Sequence, residues 1–437
     1  KPFRPTRVLE SFSLPDATPY GGAGLLVRFL AHLDVEGELR RQLPVGKHPS
    51  ATYPLPKVGL LLVLGRLLGK GRLSHFEDLE DDPLLTTLLR VRKLPDFTLL
   101  YKDLERFRDE PAREGLKRTN RRVVRTLVGK EVVLDLDSTV QPLFGQQEGA
   151  EVGYNPHYRG RPSYHPLLAF DGITGACLNA RLRQGNVPPG QDAVAFLQET
   201  EAQLPKGTRI RYVRMDKGFA GEELYGYLEG REVGYVGKVR WTARMQRALL
   251  SQPRTWRRLQ ESGEEIVEIT DFVYQATDWK RPRRLVVVRR RDAEPPVQGV
   301  LFEEALWSYD AVVTNLDWDP EDIWAFYNQR GGSENYIKEA KQAFALGEVS
   351  SDGFATNYAD LLLKVIAYNV ARAFRRLVLP PPYRGMGFRR LRRYLLEVPG
   401  RLVFHARRYF LRLPRRWRYR ELFETALRRL EVLAAPT

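Results

Sequence analysis

The sequence predicts an α/β fold in which a core sheet is preceded by a helical region and interrupted by a β-rich segment. Residues 131–240 give short apolar runs and helix-like segments in the order strand, strand, strand, helix, strand, helix, strand. Residues 1–125 have helix-like apolar spacing, whereas residues 241–315 contain strand-like runs rich in Val, Ile and Tyr. The chain of 437 residues is long enough for two or three domains.

The N-terminal region is predicted to be helical. GAGLLVRFLAHL and KVGLLLVLGRLL carry apolar residues at helical spacing, and DFTLLYKDLERF repeats the pattern. Such a helical region can pack against the rest of the chain, form a dimer or bind a partner, and the sequence does not decide which helix would make the contact.

The first core strand carries two acidic residues. In EVVLDLDSTV, residues 131–140, apolar side chains predict a short buried strand, and Asp135 and Asp137 lie on the same side of it. Two carboxylates on one face of an apolar strand are costly unless a partner neutralises them, and a divalent cation is such a partner. The alternative is that each aspartate caps a helix or a turn.

A third acidic residue follows the fourth core strand. SYHPLLAF and ACLNARLR flank the hairpin signal DGITG, and DAVAFLQETEAQL reads as an amphipathic helix. RIRYVRM then predicts a strand that ends at Asp216, and the helix GEELYGYLEG comes next. Carboxylates in this position lie where the strand ends of α/β sheets open a crevice, so Asp216 is a candidate site residue.

The stretch YNQRGGSENYIKEAK, residues 327–341, carries the spacing Y-x2-R-x3-E-x6-K. In one continuous helix, Tyr327, Arg330, Glu334 and Lys341 fall within roughly 60° of one another. Such a face joins an aromatic ring, two cations and a carboxylate, which suits a metal ion and an anionic substrate. A solvated helix with an Arg–Glu pair is the alternative, and two adjacent glycines weaken the helix.

These motifs resemble the DDE-type transposases of bacterial insertion sequences over roughly residues 130–375. The predicted element order is also that of their ribonuclease-H-like core. The resemblance implies a catalytic triad of Asp137, Asp216 and Glu334, with Asp137 preferred to Asp135 because Ser and Thr follow it directly. Asp216 and Glu334 are 118 positions apart, which fits the β-rich insertion that these enzymes carry there.

The resemblance implies a cut-and-paste DNA transposase that cleaves inverted-repeat ends and joins the 3′-hydroxyl to target DNA. Two Mg²⁺ ions, which Mn²⁺ can replace, would be held by the three carboxylates. Tyr327, Arg330 and Lys341 would grip phosphates, with Lys217 as an additional candidate. A homodimer pairing two double-stranded DNA ends, acting beside the nucleoid in a bacterial cytoplasm, is also implied.

Four tryptophans lie in the β-rich segment or at its border. In related enzymes an aromatic residue of this insertion stacks on a flipped base, and stacking recovers part of the cost of flipping. Trp241 and Trp279 are preferred over Trp256 and Trp307 because they lie among Arg and Lys. A core position is the alternative for each.

Positive charge is concentrated near the C-terminus. The net charge is +16, and residues 372–420 hold sixteen arginines and a single acid, Glu397, so they account for +15 of it. A block this basic predicts a nucleic-acid partner. Simple solvation by arginine is the alternative. The arginines assigned to DNA contact are Arg389, Arg390, Arg392, Arg393, Arg407, Arg408, Arg415 and Arg416.

The chain is divided into five predicted parts. They are a helical DNA-binding domain (1–128), the first part of the core (129–240), the β-rich insertion (241–315), the second part of the core (316–376) and a basic DNA-binding or dimerisation region (377–437).

Other classes of site have no support in the sequence. No segment is apolar and long enough for a membrane span, and Cys177 is the single cysteine, which excludes an intramolecular disulfide. His157 and His165 are predicted to be structural or to face DNA rather than to bind metal. Two other functions stay open: a non-catalytic, domesticated DNA-binding protein, and a structure-specific nuclease on the same fold.

Overall fold

The computed structural model describes residues 6, 8–44, 46–153, 155, 158–261, 265–292 and 306–434. His157 lies outside the described residues. Along the described part, no helix combines the length and apolar character needed to cross a bilayer. Cys177 is buried, and burial raises the pKa of its thiol.

The strands and helices of the core follow one another along the chain in the predicted order. Its strands are β2 (Glu131–Ser138), β6 (Leu167–Asp171), β7 (Cys177–Arg181), β8 (Arg209–Met215) and β9 (Gly234–Val239). Strand β2 lies at the centre, antiparallel to β6 and parallel to β8, while β7 pairs with β6 and β9 with β8. Helices α7 (Ala193–Gln203) and α8 (Glu222–Gly230) make the crossovers. This mixed α/β sheet confirms the predicted fold class at the level of its core.

The β-rich segment extends the same sheet. Its elements are α9 (Ala243–Leu250), β10 (Arg257–Glu261), β11 (Glu265–Tyr274), β12 (Arg283–Asp292) and β13 (Ser308–Thr314). The four strands form an antiparallel meander, and β13 pairs with β9, so the described strands form one sheet in the order β10-β11-β12-β13-β9-β8-β2-β6-β7. Strands of the segment therefore have a fixed register relative to the strands that carry the acidic residues.

The N-terminal region is helical, as predicted. It contains the short strand β1 (Ala17–Thr18) and helices α1 (Ala23–His32), α2 (Val35–Gln42), α3 (Leu55–Leu67), α4 (Pro83–Leu89), α5 (Phe97–Leu104) and α6 (Glu110–Val124). Helices α3 and α6 pack against the long helix α12 (Phe354–Leu377). A buried ion pair between Arg66 of α3 and Asp360 of α12, at 2.9 Å, joins the two regions.

Two helices and a small sheet complete the surroundings of the acidic strand ends. Helices α10 (Pro320–Asn328) and α11 (Gly331–Phe344) come before α12. Strands β3 (Gln141–Pro142), β4 (Glu151–Val152) and β5 (Pro162–Tyr164) form a separate sheet in the order β3-β5-β4. Because this sheet lies between β2 and β6 in the chain, it is placed next to the carboxyl end of β2.

The C-terminal region packs against the N-terminal region. After α13 (Pro381–Arg384) and α14 (Phe388–Leu391), strands β14 (Gly400–His405) and β15 (Arg408–Arg412) form a hairpin, and α15 (Arg420–Ala434) follows. Strand β14 pairs with β1, and α15 packs against α1.

Gly22 packs tightly against the backbone of the C-terminal region. A Cβ atom on Gly22 would lie 1.8 Å from the carbonyl oxygen of Leu395, so backbone must shift to admit a side chain. We expect Gly22→Ala to lower the free energy of unfolding by about 1–3 kcal/mol, as overpacking does. Chemical denaturation measures the change.

Gly24 supplies the matched control, because a Cβ there meets only the Leu88 side chain, at 3.9 Å. Gly24→Ala should stabilise α1 by up to about 1 kcal/mol, since alanine favours helix over glycine. Equal effects of the two substitutions would contradict the tight contact at Gly22.

Candidate active site

Asp137 and Asp216 line one cleft at the carboxyl ends of neighbouring parallel strands. Leu136 of β2 is paired with Met215 of β8, so the two aspartates follow matched positions in the sheet. The cleft has a volume of about 1100 Å³, and Lys217 and Lys341 also line it. Two of the three predicted carboxylates are therefore brought together beside two of the predicted cations.

Asp137 is held by three groups. Its carboxylate accepts hydrogen bonds from the backbone N–H of Ser138 (2.8 Å) and the hydroxyl of Ser333 (3.1 Å), and Arg330 Nη2 lies 3.1 Å from Oδ2. Burial raises the pKa of Asp137, Arg330 opposes this, and the charge of Asp216 adds to it. The cleft thus disfavours two bare carboxylates, and a cation would relieve that cost.

Asp135 has a different partner. Arg214 of β8 contacts both of its carboxylate oxygens, at 2.6 and 2.8 Å, and both side chains are 1% exposed. Gly172 makes room for this pair, because a Cβ there would lie 2.1 Å from Arg214 Nη2. The buried partner of Asp135 is therefore a guanidinium rather than the divalent cation suggested by the sequence, and Asp135 and Asp137 have separate surroundings.

The sequence predicts one continuous helix from Tyr327 to Lys341, and this prediction is wrong. Helix α10 ends at Asn328 and α11 begins at Gly331. Between them the backbone N–H of Arg330 bonds to Tyr327 O (2.9 Å), which is an i−3 bond rather than the i−4 bond of an α-helix. The carbonyl of Phe326, which an α-helix would offer to Arg330, instead accepts from Arg214 Nη1 (2.9 Å).

The residues of the Tyr-Arg-Glu-Lys motif differ in what they contact. Tyr327 is buried beside Trp324, with ring centroids 6.1 Å apart, and Arg330 reaches Asp137. Lys341 Nζ donates to the carbonyl of Val140 (3.0 Å), and burial lowers the pKa of Lys341. Arg330 and Lys341 therefore both reach the end of β2.

Glu334 is exposed and does not line the cleft. Its neighbour Ser333, which is 0% exposed, takes the position facing Asp137. Successive helical residues are rotated by about 100°, so Glu334 points away when Ser333 points inward. In the part of the chain that the structure describes, no group of three acidic, His or Cys side chains is close enough to hold a metal ion.

The four tryptophans are packed against other side chains. Trp279 is 8% exposed and meets Tyr225 edge-on at 5.8 Å, and Trp241 is stacked on Tyr309 at 5.3 Å. Trp256 and Trp307 each lie 4.0 Å from the guanidinium carbon of Arg289. In this conformation Trp279 is enclosed, and Trp241 has one ring face covered by Tyr309.

Seven of the eight arginines assigned to DNA contact are exposed, and Arg392 is not. The exposed residues are Arg389, Arg390, Arg393, Arg407, Arg408, Arg415 and Arg416. Arg392 is 7% exposed and donates to the carbonyls of Leu67 (2.8 Å) and Ala343 (2.6 Å). Burial lowers its pKa to about 10. The prediction that Arg392 faces DNA conflicts with this position, because its guanidinium links α3, α11 and the C-terminal region.

Sequence reasoning missed several residues around the site. Arg214 has a signal, since an arginine within the apolar run of β8 requires a buried acceptor. Lys238 of β9 has no such signal, yet its Nζ lies 2.8 Å from Asp310 Oδ1 and 5.9 Å from the Tyr327 ring centroid. His165, predicted to be structural or to face DNA, lines the cleft, and its Nε2 is 3.1 Å from Ser138 Oγ. Burial lowers the pKa of His165, which favours the neutral ring.

Comparisons with known proteins place these features in a family. The family model described as transposase DDE domain group 1 matches residues 6–435. Among solved structures, the chain is similar to a piggyBac transposase synaptic complex with hairpin DNA, determined by cryo-electron microscopy. That similarity has 15% sequence identity and a TM-score of 0.46, and it covers 94% of this chain and 82% of that chain. No curated protein matches the chain.

Proposed function

The chain belongs to the transposase DDE domain group 1 family, and from this premise we propose that it is a cut-and-paste transposase of the bacterial insertion-sequence type. It cleaves inverted-repeat ends and joins the freed 3′-hydroxyl to target DNA. The observation that carries the proposal is the common cleft of Asp137 and Asp216 at the ends of two parallel strands. Arg330 and Lys341, two cations of the Tyr-Arg-Glu-Lys motif, reach the same strand end.

The donor set of the cleft fits a divalent cation. Asp137 and Asp216 offer carboxylate oxygens, the ligands that Mg²⁺ and Mn²⁺ prefer, and the charge of Asp216 contributes to raising the pKa of Asp137. When bound, two Mg²⁺ ions supply activation of the attacking oxygen and stabilisation of the leaving oxygen in an in-line displacement at phosphorus. The carboxylates of Asp137, Asp216 and Glu334 are the proposed ligands.

The protein's own cations have two proposed tasks. Arg330 neutralises Asp137 in the conformation described, at 3.1 Å, and turns to a phosphate oxygen when DNA enters. Lys341 and Lys217 line the cleft and bind phosphates beside the scissile bond. Tyr327 lies under Lys238 and fixes the end of α10 beside the cleft. The chain's positive groups thus position the strand, and its carboxylates hold the ions.

Glu334 has to move to complete the proposed triad. The residues before it form a tight turn with i−3 hydrogen bonds, such as Ser333 N to Arg330 O at 2.8 Å. Such short turns often mark hinges. If this turn changes from i−3 to α-helical i−4 hydrogen bonds, α11 rotates about its axis. The side chain of Ser333 then leaves the cleft, and that of Glu334 enters it. We expect a divalent cation bound by Asp137 and Asp216 to drive this change, since its positive charge can pair with a third carboxylate.

DNA engages a second surface at the C-terminus. Arg389, Arg390 and Arg393 are exposed around a depression that also contains Lys338 of α11, the helix that carries Glu334. These cations can hold the phosphate backbone of a transposon end while the cleft acts on it. A homodimer that pairs two ends, and action beside the nucleoid in the cytoplasm, complete the proposal.

The test is metal-dependent cleavage. The protein is incubated with labelled DNA carrying the inverted repeats that flank its gene, with Mg²⁺, beside Glu334→Ala. Cutting at the repeat ends by the wild type alone supports the proposal. Joining of the cut end to new DNA separates a transposase from a nuclease on the same fold.

One observation favours a second function, that of a non-catalytic DNA-binding protein. Glu334 lies off the cleft, and the described residues hold no three-ligand metal group. Binding without cutting, in both Mg²⁺ and Mn²⁺, would establish this function and reject the enzyme.

Removing exposed arginines should weaken binding to every DNA sequence. We expect Arg389→Gln and Arg390→Gln each to reduce the slope of log Kd against log salt concentration by about one, because each phosphate contact releases about one counterion. Binding titrations at several salt concentrations measure this slope.

Arg392→Gln is the matched control within the same Arg-rich segment. It removes buried hydrogen bonds to Leu67 and Ala343, so it should lower the free energy of unfolding by about 2–3 kcal/mol. The salt slope of the folded variant should stay at the wild-type value. A reduced slope would place Arg392 on the DNA after all.

A further inference from the structure

An exposed group of two aromatic rings and one guanidinium stands at the rim of the cleft. Phe144 is 74% exposed and Tyr158 is 49% exposed, and their ring centroids are 6.2 Å apart at 78°. The guanidinium carbon of Arg161 lies 4.4 Å from the Phe144 centroid and 5.8 Å from that of Tyr158. We call these three residues the rim cluster.

The rim cluster is continuous with the site that holds the acidic residues. Tyr158 lines the same cleft as Asp137 and Asp216, and Phe144 extends the cluster from Tyr158 into solvent. The small sheet fixes both sides of the loop, because Phe144 follows β3 and Arg161 precedes β5. A strand of DNA that leaves the carboxylates on this side must pass the two rings.

A buried amide beside the rim cluster lacks a partner. Asn155 is 5% exposed and lines the cleft, and its Oδ1 accepts the backbone N–H of Tyr158 (3.0 Å). Its Nδ2 has no hydrogen-bond partner among the described residues. Buried donors are nearly always paired, so an unpaired donor in a cleft lining indicates a ligand acceptor. Carbonyl and ring-nitrogen atoms of a nucleobase, or a phosphate oxygen, are acceptors of the right kind.

A single exposed apolar residue needs no explanation. Two exposed rings that share one guanidinium at an acidic cleft are different, since aromatic faces and arginine are the groups on which unpaired bases stack. Among the described residues, Arg161 makes no ion pair, so its charge is available to DNA. These features favour a nucleotide, because it joins a planar base that can stack on the rings to a phosphate that can pair with Arg161.

We propose that the rim cluster binds an unpaired nucleobase of the DNA strand that passes through the cleft. The proposal deepens the function proposed above and rests on it. Phe144 and Tyr158 supply the stacking faces, Arg161 supplies the cation, and the Asn155 amide donates to the same nucleotide. The site would hold a DNA end open beside the carboxylates and would favour ends that are already frayed.

The experiment compares two DNA probes that share one duplex sequence. One is blunt, and the other carries a short single-stranded tail with 2-aminopurine, whose fluorescence falls when it stacks on an aromatic ring. The wild type should bind the tailed probe more tightly and quench it. Phe144→Ser with Tyr158→Ser should weaken tailed binding about tenfold and blunt binding less than about twofold.

Matched variants separate stacking from folding. Phe144→Trp and Tyr158→Phe keep the rings and should keep the tail preference. Ile173→Ser removes another exposed apolar residue, 68% exposed in the β6–β7 turn, and should leave the tail preference intact. Each of three results would overturn the proposal. The double variant could lose the same affinity for both probes, the wild type could show no preference for the tailed probe, or the double variant could keep that preference.

Metal-dependent cutting of DNA is measured with the same proteins. This distinguishes failure of the proposed base-binding site from failure of the proposed transposase function. If the wild type cuts and the double variant keeps the tail preference, the base site is rejected and the transposase stands. If the wild type does not cut but the double variant loses the preference, the base site stands as part of a DNA-binding protein.

Discussion

Asp137→Asn should reduce Mg²⁺-dependent cutting of the transposon ends by about 10³-fold or more, which corresponds to about 4 kcal/mol of lost transition-state stabilisation. The substitution keeps the side chain's size and one oxygen that can accept from the backbone N–H of Ser138, and it places an amide N–H₂ beside Ser333. It removes the negative charge that we propose holds a divalent cation with Asp216. Single-turnover cleavage of labelled repeat ends measures the loss, and Asp216→Asn should match it.

Glu348 offers a stringent control because it is a third carboxylate in the lining of the same cleft. Its side chain pairs with Arg72 at 3.3 Å and is half exposed. Glu348→Gln should cut within about threefold of the wild type, as expected for a group outside the transition state. If Glu348→Gln abolishes cutting while Glu334→Ala remains active, the proposed triad is wrong. Glu348 would then be the third metal-binding carboxylate.

Asp135→Ala should lower the free energy of unfolding by about 3–5 kcal/mol, although Asp135 lies only two residues from Asp137. The substitution leaves the guanidinium of Arg214 buried without its carboxylate, and both side chains are 1% exposed. Arg214 also holds the carbonyl of Phe326, so the loss should reach the end of α10. Urea denaturation followed by circular dichroism measures the change in stability.

The double variant Asp135→Leu with Arg214→Met tests the cause of that loss. Replacing both members of a buried pair by apolar side chains removes the unpaired charge, so the double variant should be more stable than Asp135→Ala alone. It should still be less stable than the wild type, because the carbonyl of Phe326 loses its donor. If Asp135→Ala is as stable as the wild type, the Asp135–Arg214 pair contributes nothing to stability. The choice between Asp135 and Asp137 as the first catalytic carboxylate would then be open again.

Local patterns were sufficient to predict the core sheet. The apolar runs of β2 and β8, each followed by polar residues, indicated buried strands with acidic residues at their ends, and the structure places those ends together. This worked because strand burial and strand ends are properties of neighbouring residues. The N-terminal helices were predictable for the same reason.

Features that depend on distant partners were not predictable. The helix break before Gly331 depends on Arg214, which lies more than a hundred positions earlier and takes the carbonyl of Phe326. The burial of Arg392 likewise depends on carbonyls of α3 and α11 that no local pattern reveals. The rim cluster was missed because a loop rich in Gly and polar residues gives no sign of where Phe144 and Tyr158 meet.

The pairing of β1 with β14 has a consequence for biosynthesis. Thr18 leaves the ribosome long before its partner Gly400 does. The N-terminal helices therefore begin to fold during synthesis without the strand and the helix α15 that cover them in the finished protein. Closure of this long loop is a late and slow event, since contacts distant in sequence form last. Nascent chains from which residues 400–434 have not yet emerged thus lack the elements that cover the N-terminal helices.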